Sequence, residues 1–142
     1  MKYAKKMIAV TLVMLPMLAV AQLPSNQKLI TNVPFEFTVG NRVMPAGQWT
    51  TQVASRNDAN LLLLRNVRAK RAVTSSSLPG ESKIAPAKSA LIFHKYGGSY
   101  FLVGIKVEGN QANYRIPESK AEAELRSENR PVSEEILVAW LE

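Results

Sequence analysis

The strongest constraint on the fold is a predicted β-hairpin that spans residues 89–107, SALIFHKYGGSYFLVGIKV. Two runs rich in β-branched and aromatic residues, 91–96 and 100–107, are separated by the dipeptide Gly97-Gly98. Two consecutive glycines can both adopt positive φ angles, which a two-residue hairpin turn of type I′ requires. The two runs are therefore expected to pair as antiparallel strands around this turn.

The position of the turn also predicts which residues share a face of the hairpin. One face carries the predicted pairs Tyr96 with Ser99, His94 with Phe101, Ile92 with Val103, and Ala90 with Ile105. The other face carries Lys95 with Tyr100, Phe93 with Leu102, and Leu91 with Gly104. Both faces are largely apolar, so each must be covered by a second sheet, a barrel wall or a helix. Because a glycine inside a strand often marks a bulge, we expect curvature at Gly104.

The first 21 residues have the three parts of a secretory signal peptide. Residues 1–6 carry three lysines, residues 7–20 form an apolar run, and residues 19–21 are small and precede Gln22. The apolar run has fourteen residues, fewer than the about 20 that span a membrane. We therefore expect a signal peptide at 1–21, a flexible leader at 22–28 and a single β-rich domain at 29–142. The mature chain is expected in the periplasm or outside the cell, without a transmembrane segment.

Charge and cysteine content exclude several classes of function. Of the 18 basic residues, three lie in the predicted signal peptide, which leaves 15 against 11 acidic residues and a mature net charge of +4. This excess is poor support for a nucleic-acid partner in an exported chain, but it is compatible with peripheral contact with anionic envelope components. The chain has no cysteine and one histidine, so we expect no disulfide, no metal site and no cofactor.

Alternating apolar residues and turn signals predict further short strands along the chain. The predicted strands are residues 33–39, 48–54, 61–64, 71–76, 113–116 and 136–141, and residues 77–88 form the longest predicted loop. Four successive leucines at 61–64 predict a strand that is buried on both faces. Together with the central hairpin, these elements predict a mainly β fold, an antiparallel sandwich or small barrel of seven or eight short strands with one late α-helix.

The late helix is predicted at residues 120–129, KAEAELRSEN, which consist mostly of strong helix formers. Ser119 and Glu122 form the S-x-x-E pattern of a capping box, in which the serine begins the helix. Only Ala121, Ala123 and Leu125 are apolar in this segment. We therefore expect a helix with a narrow buried stripe that lies across the outside of the sheet.

Three sequence blocks resemble a family of small exported bacterial proteins. The blocks are VPFEFTVGNRVMPAGQWT from Val33, LIFHKYGGSYFLVGI from Leu91 and PESKAEAEL from Pro117. In that family a VPFxFxVGxxxxPAG block precedes an FHxYGxxYFL hairpin behind a signal peptide, and no activity, ligand or catalytic residue is established. The resemblance covers most of the mature chain. It implies the domain boundaries and an exported location, and it assigns no functional residue.

His94 is the candidate catalytic residue, because acid-base chemistry near neutral pH usually requires a histidine and the chain has only this one. The alternative interpretation is a packed histidine that shares one hydrogen bond. The serines at 75–77 and Asp58 could complete a Ser-His-acid arrangement with it, although no G-x-S-x-G motif accompanies them.

Two further sets of residues are candidates for binding. The aromatic candidates for lining a ligand cavity are Trp49, Phe93, Tyr96 and Tyr100, for which the alternative is ordinary core packing. The candidates for contact with phosphate or lipid headgroups are four cations at a predicted hairpin tip, Arg65, Arg68, Lys70 and Arg71. The alternative for these cations is a charged tip that keeps the adjacent leucine strand from aggregating.

The sequence thus favours a non-enzymatic binding or interaction module of the cell envelope or the extracellular space. Its ligand could be a small apolar molecule held between the sheets, or a macromolecule met at an exposed edge and the basic tip. The alternative is a small hydrolase that uses His94 with a nearby serine or glutamate.

Overall fold

The computed structural model describes residues 28–55 and 57–141, and the predicted signal peptide and leader residues 22–27 lie outside this part. The described residues are mainly β, as predicted, with eleven strands and one helix. The elements are β1 (Leu29–Val33), β2 (Phe37–Val39), β3 (Arg42–Met44), β4 (Gly47–Ser55), β5 (Asp58–Asn66), β6 (Arg71–Ser76), β7 (Leu78–Glu81), β8 (Ser89–Tyr96), β9 (Ser99–Lys106), β10 (Ala112–Arg115), α1 (Lys120–Ser127) and β11 (Ser133–Leu141).

The strands form one curled sheet that nearly closes into a barrel, in the order β3, β2, β9, β8, β11, β1, β4, β5, β6. Arg42 on the first strand of this order and Val73 and Thr74 on the last line a common depression, so the two ends of the sheet approach each other. One edge of β9 pairs with β8. The other edge pairs with β2 along one part and with β10 along another, and β10 also pairs with β7. Of the pairings between described strands, the contact of β2 with β9 is parallel and the others are antiparallel.

The described chain has more strands than the seven or eight predicted, for three reasons. Residues 42–44, for which no strand was predicted, form β3 and pair with β2. The predicted strand at 33–39 is two strands, because the chain leaves the sheet at Pro34 and re-enters it at Phe37. Proline has no N–H to donate to a strand ladder, so it interrupts the pairing. The predicted loop at 77–88 contains β7, which pairs with β10, because a partner strand distant in the sequence supplies its hydrogen bonds.

The central hairpin has the predicted register near its turn and a shifted register beyond it. Tyr96 pairs with Ser99, His94 with Phe101 and Phe93 with Leu102, as expected. A bulge then leaves Val103 without a paired residue on β8, so that Ile92 pairs with Gly104 and Leu91 with Ile105. The irregularity expected near Gly104 is confirmed, whereas the predicted pairs beyond it were wrong by one residue.

The turn itself requires only one left-handed glycine. Gly97 has a φ of 59°, and Gly98 is not among the glycines with positive φ. The sequence allows a positive φ at both glycines, and only Gly97 uses it. Glycine adopts a positive φ without the steric cost that a side chain imposes.

The core lies inside the curled sheet. Its largest completely buried side chains are Trp49, Phe37 and Phe93. Phe37 contacts the rings of both others edge to face, at centroid distances of 5.4 and 5.3 Å. The Trp49 indole N–H donates a hydrogen bond of 3.1 Å to the Pro45 carbonyl, which satisfies the polar atom of this side chain.

The leucine-rich strand faces the core with one side only. Leu62 and Leu64 are buried, and Leu61 and Leu63 are partly exposed. The prediction of burial on both faces was wrong because no further layer covers the outside of β5 among the described residues.

Helix α1 lies against the outer face of the central hairpin, where Glu122 contacts His94 and Tyr96. The predicted apolar stripe is present only in part: Ala123 and Leu125 are half-buried, Ala121 is exposed, and the buried helix residue is Glu122. Among the described residues, no helix is long and apolar enough to cross a membrane.

Candidate functional site

The carboxylate of Glu122 is buried between helix α1 and the central hairpin, with only 3 % of the residue exposed. Its position follows from the start of the helix, where the Ser119 hydroxyl accepts a hydrogen bond of 3.1 Å from the Glu122 backbone N–H. This is the serine half of the predicted capping box. The glutamate side chain points to the sheet, and its negative charge lies in the first helical turn, where the helix dipole favours an anion.

Two side chains of strand β8 hold this carboxylate. His94 Nδ1 lies 2.6 Å from Glu122 Oε1, and the Tyr96 hydroxyl donates a hydrogen bond of 3.1 Å to the same oxygen. His94 and Tyr96 are two positions apart in the strand, so both side chains project from its outer face. A carboxylate oxygen accepts hydrogen bonds, so this contact favours the tautomer of His94 that carries a proton on Nδ1. These bonds offset the cost of removing the carboxylate from water.

The same contact changes the ionisation of Tyr96. Burial raises the pKa of the Tyr96 phenol above 10.0, and the charge and hydrogen bond of Glu122 raise it further. Each cause favours the neutral phenol, because a phenolate beside a carboxylate would place two negative charges in contact. The hydroxyl therefore remains a hydrogen-bond donor throughout the neutral pH range.

A second ion pair lies on the exposed side of the helix. Arg126 donates hydrogen bonds of 2.8 and 3.3 Å to the two oxygens of Glu118. The hydrogen bond with Arg126 lowers the pKa of the Glu118 carboxyl, and the same bond raises the pKa of the Arg126 guanidinium. Both side chains are accessible to solvent, so the pair orients the two groups more than it stabilises the fold.

These groups lie on a groove of about 480 Å³ between helix α1 and the antiparallel strand pair of β7 and β10. Its lining residues are Leu78, His94, Tyr96, Val103, Arg115, Ile116, Pro117, Glu118, Glu122 and Arg126. His94 is half-exposed in this groove, with 37 % of its side chain accessible. The groove thus combines apolar walls with a histidine, two guanidinium groups and the two carboxyl groups of Glu118 and Glu122, and such a mixture of apolar walls and few polar groups is typical of small-molecule sites.

Arg115 is the cation at the rim of the groove that has no acidic partner within 4.0 Å among the described residues. Its side chain crosses Gly80 on the paired strand β7, where an added Cβ would come within 2.9 Å of Arg115 Cδ. The missing side chain at Gly80 therefore leaves room for the arginine stem. An unpaired guanidinium can receive a carboxylate or phosphate through two parallel hydrogen bonds.

The predicted Ser-His-acid arrangement is not assembled. Ser77 is hydrogen bonded to the Asn60 carbonyl, and Asp58 accepts a hydrogen bond from the Asn60 N–H. Both residues belong to the β5–β6 region of the sheet, while His94 lies on β8 with Glu122 as its acidic partner.

The four aromatic candidates occupy three different environments. Trp49 and Phe93 are completely buried core residues, and Tyr96 binds Glu122. Tyr100 stacks on Phe35 at a centroid distance of 3.7 Å. The structure therefore brings only Tyr96 of these four to the groove that contains His94.

The predicted basic tip is present at the β5–β6 turn. Its four cations are all exposed: Arg65, Arg68, Lys70 and Arg71. The turn is held by Asn66, whose side-chain oxygen accepts a hydrogen bond of 3.0 Å from the Ala69 N–H. No acidic side chain lies within 4.0 Å of these cations among the described residues.

Two residues of the groove had no role in the sequence prediction. Glu122 was recognised only as the glutamate of the capping box, and Arg115 only as part of a short strand. The S-x-x-E pattern indicates a glutamate at the start of a helix. It does not indicate the hydrogen-bond partners of that glutamate, because Tyr96 and His94 are 26 and 28 residues away in the chain. In the described part of the chain, no three histidine or acidic side chains are arranged to hold a metal ion.

Comparison of the chain with protein-family models, with curated proteins and with solved structures gave no significant match.

Proposed function

We propose that this protein is a non-enzymatic binding domain of the cell envelope or the extracellular space, and that its ligand site is the groove beside helix α1. The ligand class is a small organic anion with an apolar body. The exported location rests on the predicted signal peptide, and the ligand class rests on the composition of the groove.

The observation that carries this proposal is the unpaired Arg115 at the rim of a groove with apolar walls. A carboxylate or phosphate would pair with the Arg115 guanidinium. The apolar body would lie against Leu78 and Pro117, both of which are exposed in the groove. His94 has its Nδ1 engaged by Glu122, so its ring is oriented and its other nitrogen is the one that can meet a ligand.

Octanoate and octyl phosphate test this proposal, with octanol as the uncharged control. Isothermal titration of residues 22–142 should detect the two anions and not the alcohol. Arg115→Gln should weaken anion binding by about tenfold or more, because it removes a charge-assisted hydrogen bond. Arg130→Gln is the matched control, since Arg130 pairs with Glu128 away from the groove. Equal binding of octanol and octanoate would contradict the anion site.

Native mass spectrometry of the protein purified from its export compartment gives an independent test of the same site. A bound mass that is lost on denaturation is the expected result, and its value would define the ligand class. Loss of this mass in Arg115→Gln would assign the ligand to the groove. Its retention in that variant would place the ligand elsewhere.

The second candidate function is a small hydrolase, and the 2.6 Å contact between His94 Nδ1 and Glu122 Oε1 favours it. A carboxylate that fixes the protonated nitrogen of a histidine leaves the other nitrogen available as a general base. The lining residues of the groove include no serine, threonine or cysteine. A reaction here would therefore begin with His94 removing a proton from a water molecule as the water attacks the substrate.

Hydrolysis of p-nitrophenyl octanoate separates the two candidates. The binding proposal expects no turnover above that of buffer. Turnover that is lost in His94→Gln, while the free energy of unfolding and octanoate binding are retained, would establish the hydrolase instead.

A further inference from the structure

Strand β11 exposes a row of large apolar side chains on the outside of the sheet. Ile136, Val138 and Trp140 are 57 %, 53 % and 46 % exposed. They are alternate residues of one strand, so their side chains share its outer face. Contiguous exposed apolar side chains of this size mark interaction surfaces in soluble domains.

Strand register places the basic tip beside this row. Trp140 pairs with Ile30, Ile30 with Thr50, and Thr50 with Arg65. Residues paired in this way lie on the same face of a sheet, and Arg65 is three strands from Trp140, about 14 Å at the usual strand spacing. The outer face therefore carries both the exposed indole of Trp140 and Arg65, the first cation of the basic tip.

Cations also lie on the opposite side of the row. Val138 pairs with Ala90, and Ala90 pairs with Lys106, which is two strands away at about 10 Å. Lys28 precedes β1 and lines a shallow depression with Arg65 and the exposed Val67. Cations thus lie on both sides of the apolar row, and on the Lys106 side Glu81 and Glu134 line the same depression as Lys106.

The acidic residue on the outer face of β11 lies at the far end of the strand. Glu134 pairs with His94, six residues from Trp140. The apolar row and its neighbouring cations therefore form one amphiphilic surface. We call it the β11 face, and its members are Lys28, Arg65, Lys106, Ile136, Val138 and Trp140.

We propose that the β11 face docks on an anionic lipid surface. The indole of Trp140 and the adjacent aliphatic side chains would enter the boundary between headgroups and acyl chains, where tryptophan is favoured. Arg65 and Lys106 would contact lipid phosphates, because long basic side chains can keep their charge at the headgroups while their stems cover apolar surface. This arrangement of a central apolar row with cations on both sides fits an anionic membrane by charge complementarity.

Vesicles test this proposal directly with residues 22–142. Cosedimentation with phosphatidylcholine–phosphatidylglycerol vesicles should occur, and it should weaken as salt rises from about 10 mM to about 150 mM. Vesicles of phosphatidylcholine alone should bind much less. Tryptophan emission should shift to shorter wavelength on binding, and Trp140→Phe should abolish the shift, because Trp49 is already buried in the core.

Two variants separate the apolar and the charged parts of the surface. Val138→Gln with Trp140→Gln should reduce binding by about tenfold or more, since it removes the inserted side chains. Arg65→Gln with Lys106→Gln should have a similar effect and flatten the salt dependence. Val43→Gln is the matched control, because Val43 is 60 % exposed on β3, which is four strands from β11 in the sheet order. Circular dichroism must show that each variant is folded.

Four results would overturn the proposal. The first is no binding to anionic vesicles at low salt, and the second is equal binding to neutral vesicles. The third is full competition by inorganic phosphate together with no effect of the Val138→Gln, Trp140→Gln variant. The fourth is a dimer in native mass spectrometry that Trp140→Gln dissociates. The last result would show that a second copy covers this face. The groove proposal is tested separately, because Arg115→Gln should leave vesicle binding unchanged.

Discussion

His94 Nδ1 lies 2.6 Å from Glu122 Oε1, although the two residues are 28 positions apart in the chain. This contact joins the central hairpin to the only helix of the described residues. The helix position therefore depends on a buried carboxylate and its two hydrogen-bond partners, His94 and Tyr96.

Substitution of Glu122 should destabilise the protein more than substitution of any other helix residue. Glu122→Ala leaves the buried Tyr96 hydroxyl without its acceptor and should lower the free energy of unfolding by about 2 kcal/mol. Glu124→Ala is the matched control, because Glu124 is exposed on the same helix. Urea unfolding measures both values. Equal effects of the two variants would show that the buried contact does not hold the helix.

Tyr96 should make the stability depend on alkaline pH. Its pKa in the folded protein is raised above 10.0 by burial and by Glu122. The neutral phenol therefore contributes stability that is complete below pH 10.0 and is lost as the pH rises through the folded-state pKa. Tyr96→Phe should be less stable at neutral pH, by about 1 kcal/mol, and should lose less stability between neutral and alkaline pH than the native chain does. Parallel pH profiles would contradict this assignment.

The two glycines of the hairpin turn should differ in their tolerance of side chains. Gly97 has a φ of 59° and no atom within 4 Å of an added Cβ, so alanine there is opposed only by backbone strain. Gly97→Ala should cost about 1 kcal/mol of stability. Gly98→Ala has the same free space without the positive φ and should be close to neutral. Thermal unfolding of both variants measures the difference, and a reversed order would mean that the turn is built differently.

Gly80 should be required for the position of Arg115. Gly80→Ala places a methyl group against Asn113 Oδ1 and within 2.9 Å of Arg115 Cδ, so both side chains must move. We expect weaker octanoate binding, with a smaller effect on the core, because Gly80 and Arg115 lie at the outer β7–β10 pair. Titration with octanoate and urea unfolding separate these effects. Unchanged octanoate binding would show that Arg115 tolerates a displaced stem or does not bind the anion.

The sequence by itself determined those elements whose structure depends on residues close together in the chain. Gly97 fixed the hairpin turn and its nearest pairs, and Ser119 fixed the start of the helix. For Trp49 and Phe93, named as candidates for a ligand cavity, the alternative of core packing is what the structure shows. In each case steric limits, capping or burial act within a few residues.

Only the tertiary structure decided how distant residues meet. The bulge at Val103 arises where the edge of β9 passes from β2 to β10, and strand β7 exists because β10 pairs with it. Glu122 reads as a solvated helix residue in the sequence and becomes the buried acceptor of the site. The reason is that hydrogen-bond partners and burial depend on neighbours in space. Glu122 contacts Tyr96 and His94 across 26 and 28 residues, and a contact over that distance leaves no local pattern in the sequence.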